Sequence, residues 1–74
     1  MSVFEKIAEE RDTAERRRRY LRSIIQPRWG EYEVDSLRNE MEAAADQAID
    51  TTLGLLKEIG IEATPEGVRK MLGF

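Results

Sequence analysis

Gln26-Pro27-Arg28-Trp29-Gly30, QPRWG, interrupts the sequence between two long stretches of helical pattern, and its reading decides the fold. Proline clashes with α geometry at the residue before it, so a helix arriving from the N-terminal side stops by Gln26. Glycine then lets the chain restart in a new direction. A link this short between long helices brings the second back alongside the first, as an antiparallel hairpin.

Toward the N-terminus, Phe4, Ile7, Ala8, Ala14, Leu21 and Ile25 keep a helical period, with Arg11 and Arg18 where the stripe would continue. Ser2-Val3-Phe4-Glu5 has the form of a capping box. Together they predict a helix over about 3–25. Asp12-Thr13-Ala14-Glu15 repeats the cap pattern and offers two shorter helices as an alternative. Toward the C-terminus, Val34, Leu37, Met41, Ala44, Ala48, Thr52, Leu55 and Ile59 step by threes and fours, predicting a helix over about 31–59. Gly60 is placed as its left-handed cap, with Ile61 folding back on the last turn. Thr64-Pro65 opens a third helix over about 65–72, threonine as cap and proline at the first helical position. The expected fold is all-α, one domain over residues 1–74.

In such a hairpin, turning at residues 28–31, Arg18 meets Met41 or Glu42, Arg11 meets Ala48 or Asp50, and Phe4 meets Leu55. The ends of the contact are apolar. Its middle sets arginines against Ala43-Ala44-Ala45-Asp46-Gln47-Ala48.

A chain of 74 residues has a thin margin of stability, and small domains usually add a disulfide, a metal or a partner. With no cysteine and no histidine, disulfides, thiolate sites and the commonest general base are all excluded. Association remains, so a homodimer or higher oligomer is expected, with Ala44, Ala45, Ala48 and Thr52 as its seam. No apolar run reaches the ~20 residues of a membrane span. The acidic start, MSVFEKIAEE, is unlike a signal peptide. A soluble, cytoplasmic protein without membrane contact is expected. No glycine-rich phosphate loop or metal-ligand pattern is present, so neither cofactor nor catalysis is expected.

Charge is the informative feature. Residues 1–30 hold eight basic and five acidic side chains; residues 31–74 hold four and ten. The hairpin lays these unlike halves side by side, with Glu42, Asp46 and Asp50 as an acidic row on the second helix. Arg16 to Arg19 turn by about 100° per residue, so they surround their helix instead of forming a flat patch. Either the run is a solvated face with cross-helix pairs, or Arg16, Arg17, Arg19 and Arg28 dock a partner beside Tyr20 and Trp29, arginine and aromatics being the residues that dominate binding hot spots. Trp29 either covers the helix ends or stands out as an anchor.

Two segments carry resemblances. Residues 55–72, LLKEIGIEATPEGVRKML, resemble helix-turn-helix segments, which implies Arg69 and Lys70 near DNA. They depart from that pattern in a longer turn with Pro65, in Gly67, and in Glu58, Glu62 and Glu66. Residues 40–61 are similar to the second metal-binding helix of all-α, magnesium-dependent nucleotide pyrophosphohydrolases. Glu42 and Asp46 are spaced by four, however, where that family uses three.

The expected function is therefore a small non-catalytic interaction protein, a regulator or inhibitor, in the style of accessory proteins of phages and mobile elements. A protein is the expected partner. Nucleic-acid or nucleotide binding through the arginine-rich end is the alternative, and a pyrophosphohydrolase relative the second.

Overall fold

The computed structural model describes residues 2–74 and contains three helices: α1 (Val3–Ser23), α2 (Glu31–Glu58) and α3 (Pro65–Leu72). Each is bounded by residues that act locally. Ser2 Oγ accepts the Glu5 N–H at 3.2 Å and Thr64 Oγ1 accepts the Gly67 N–H at 3.1 Å. α1 runs unbroken through Asp12, so the second cap pattern is not used. It ends two residues before the expected boundary. There the Trp29 N–H bonds the Gln26 carbonyl at 3.0 Å and closes a β-turn with Pro27 at its second position, where proline's fixed φ fits.

α2 starts at Gly30, which offers no side-chain cap, and carries Glu31 and Glu33 where the helix dipole favours acids. Its far end closes as expected: Gly60 has φ +81°, the Gly60 N–H bonds Lys57 O, and the Ile61 N–H reaches back to Leu56 O at 2.9 Å. A second such cap closes α3. Gly73 has φ +84° and the Phe74 N–H bonds Arg69 O at 3.1 Å, turning Phe74 back onto the hairpin.

The core lies where all three helices meet. α1 contributes Ile7 and Ala14, α2 contributes Ala48, Ile49 and Leu56, and α3 contributes Val68 and Leu72, flanked by Val3, Leu53, Leu55 and Phe74. Ile7, Ala14 and Leu21, seven apart, make one inward ridge on α1. Toward the turn the chain is thinner. Leu21 is enclosed, while Ile24, Ile25, Val34, Leu37 and Met41 are half-buried.

The molecule is consequently long, 48 × 22 × 14 Å, with a radius of gyration of 14.2 Å against about 11 Å for a compact chain of this length. Its accessible surface, 5526 Å², exceeds the roughly 4,700 Å² usual for a monomer of this size.

The alanine seam lies inside this fold. Ala45 and Thr52 are 0% exposed and Ala48 1%, enclosed within a single chain. Small side chains here let α1 approach α2 closely, and among the four seam residues Ala44 alone is half-buried with surface still accessible. A second copy has no access to Ala45, Ala48 or Thr52.

Candidate arginine docking surface

The arginine run divides according to the direction each residue takes from α1. Arg18 turns inward and is the side chain on which the helices converge. Its Nη1 donates to the Met41 carbonyl at 3.0 Å and lies 3.7 Å from Glu42 Oε1, and its guanidinium sits 5.1 Å from the centre of the Phe74 ring. Arg69 Nη2 donates to both Glu42 oxygens at 3.2 Å. One carboxylate thus ties α1 to α3, and the stem of Arg18 lies along apolar surface with only 17% of its side chain exposed. The expected meeting of Arg18 with Met41 and Glu42 is what the structure contains.

The other expected cross-helix pairs are fewer. Arg17 lies 4.0 Å from Glu40, while Arg11 pairs with its own neighbour Asp12 at 3.3 Å and not with α2. Phe4, expected against Leu55, is 65% exposed.

Arg16, Arg19, Tyr20 and Arg28 lie at the surface, and Trp29 is half-buried, between the two readings of it. Arg19 pairs with Glu15 at 3.6 Å, and Arg16 Nε donates to the Asp12 carbonyl. Arg16, Arg22 and Arg28 have no carboxylate within 4.0 Å among the described residues. Arg17 and Tyr20 face the other side of α1, with the Arg17 guanidinium 5.8 Å from the Tyr20 ring centre. The six partner-binding candidates are therefore not one patch. Arg16, Arg19 and Arg28 remain outward near the turn. Arg22, absent from the candidates, joins them.

Arg22 and Phe74 are what the sequence reading missed. With Arg18, Arg19, Glu15 and Gly73 they line a small hollow of about 180 Å³. An i, i+3 step from Arg19 to Arg22 was visible; the return of Phe74 depended on α3.

The two resemblances meet specific geometry. Val68 and Leu72 are buried in the common core and Arg69 is held by Glu42, so the residue a recognition helix aims at DNA is tied down. Glu42 serves the arginines, while Asp46 and Asp50 flank a shallow hollow with Pro65, Glu66 and Arg69. Among the described residues no group of three or more acidic side chains is arranged to hold a metal ion. No helix among them is long and apolar enough to cross a membrane.

In comparisons with known proteins, no family model, no curated protein and no solved structure matches this chain.

Proposed function

We propose that this chain is a non-catalytic interaction protein that docks the acidic surface of a protein partner through the outward arginines near its turn. Arg16, Arg22 and Arg28, cations without a carboxylate partner, carry this reading, with Arg19 between them and Trp29 at the adjacent helix end. Arginine forks suit carboxylates, and a half-buried tryptophan supplies the apolar contact that charge alone lacks.

A protein partner fits better than nucleic acid because the surface is mixed. Glu9, Asp12 and Glu15 stand on the outer turns of α1 beside the arginines, and Glu31, Glu33 and Asp35 open α2 just beyond them. Nucleic-acid affinity grows with the number of phosphates neutralised, and interleaved carboxylates work against it. The mixed pattern suits a protein whose acidic surface also carries basic side chains to meet these carboxylates.

Affinity capture with the wild-type chain and with Arg16→Glu/Arg22→Glu/Arg28→Glu tests this. The expected result is an acidic protein retained after nuclease treatment and lost with the triple variant. Capture that disappears on nuclease treatment refutes the proposal in favour of nucleic-acid binding.

A further inference from the structure

We infer that two copies of this chain pair through the side of the α1–α2 hairpin that α3 leaves uncovered, with the two α1 helices antiparallel about an axis between Thr13 and Ala14. α3 covers one side only. On the other, α1 presents Glu10, Thr13, Arg17, Tyr20 and Ile24 at alternating steps of three and four, the spacing of a seam between helices. At the waist of this side the small residues Thr13 and Ala44 keep accessible surface, at the rim of a shallow groove of about 260 Å³ whose floor is the enclosed Ala14 and Ala48. A second helix can approach closely there.

Glu10 supplies the orientation. It is half-buried at the edge of the groove, yet no cation lies within 4.0 Å of it among the described residues. The Arg17 of its own chain is two turns away, roughly 10 Å along the axis, and is engaged sideways with Glu40. Antiparallel pairing about the point between Thr13 and Ala14 sets Glu10 opposite the partner's Arg17, twice by symmetry, and sets half-buried Val3 opposite the partner's Ile24. Parallel pairing sets Glu10 on Glu10 and Arg17 on Arg17, which like charges oppose.

The area suits a second copy. α1 is about 31 Å long, and a face that long and two helices wide is of the order of the 800 Å² per partner that stable interfaces bury. The result is two hairpins packed as a four-helix bundle, with α3 of each outside it. Arg16, Arg19, Arg22 and Arg28 stay clear of this seam, so the inference does not rest on the proposed function.

Charge exchange tests it in the full chain. Wild-type protein is expected to give a dimer mass by sedimentation at micromolar concentration. Glu10→Arg and Arg17→Glu, each alone, are expected to weaken the dimer roughly tenfold, through two altered ion pairs per dimer. Mixing the two variants restores Glu-to-Arg pairing at both sites, so the mixture is expected to dimerise as wild type does. Circular dichroism checks that each variant remains helical. The chain has no cysteine, so Thr13→Cys is expected to form an intermolecular disulfide under oxidation and Lys70→Cys, on α3, is not. A monomer at all concentrations overturns the inference. So does a mixture no tighter than its components, or crosslinking through Lys70→Cys and not Thr13→Cys.

Discussion

Thr52→Val raises the stability of this protein. Thr52 lies on the inner face of α2, is 0% exposed, and its Oγ1 has no hydrogen-bond partner. A buried hydroxyl without a partner carries a desolvation cost of about 1–3 kcal/mol. Valine has nearly the same shape, the same β-branching and a similar helix propensity, so replacing the hydroxyl by a methyl removes that cost without a cavity. The added methyl contributes up to about 0.8 kcal/mol of apolar burial, against a small loss wherever the methyl fits less well than the oxygen. A net gain of about 1–2 kcal/mol follows, which for a domain of this size raises Tm by roughly 4–16 °C. The assay is thermal unfolding followed by circular dichroism at 222 nm, at one fixed protein concentration because association shifts Tm. Thr51→Val, one residue away and only half-buried, is the control and stays within about 0.5 kcal/mol of wild type. A Tm for Thr52→Val equal to or below that of wild type refutes the reasoning, because it means the hydroxyl is satisfied in solution, for instance by the Ala48 carbonyl one turn back.

Two further pairs of substitutions separate residues that look alike in sequence. Arg18→Ala lowers stability by about 1–3 kcal/mol, since it strips Met41 O and Glu42 of a charged donor and uncovers Phe74, whereas Arg19→Ala stays within about 0.5 kcal/mol; urea unfolding of both checks the difference. Equal effects refute the inward placement of Arg18. Gly54→Ala stabilises by up to about 1 kcal/mol, because a Cβ there meets nothing within 4 Å and alanine is the better helix former, while Gly60→Ala costs about 1 kcal/mol at φ +81°. A loss at position 54 means that something packs on that face of α2.

The cause of helix formation was local, and so the helices could be read from residues. Ser2, the β-turn at Gln26–Trp29, Gly60 and the Thr64-Pro65 pair act on backbone groups within one turn of themselves, and each acts in the structure as its chemistry implies. The inward ridge was readable for a related reason, since helical period alone gathers Ile7, Ala14 and Leu21 on one side. Even the partners of Arg18 followed from the length of the turn, which sets the level at which α1 meets α2.

Tertiary structure decided which of several equivalent residues would be used. Helical period already set Arg18, alone among Arg16 to Arg19, on the inward stripe, but only the docking of α3 put its guanidinium beside the Phe74 ring. Ala45, Ala48 and Thr52 suit a seam between chains as well as one within a chain; the docking of α3 and the close approach of α1 enclosed them. Phe74 gained its place under Arg18 because Gly73 turns the chain back, and because Glu42 was free to hold Arg69 from the same side. Helix caps and periods depend on neighbours in sequence, whereas the choice of partners depends on the register and rotation of whole helices, which emerge only when all three pack at once.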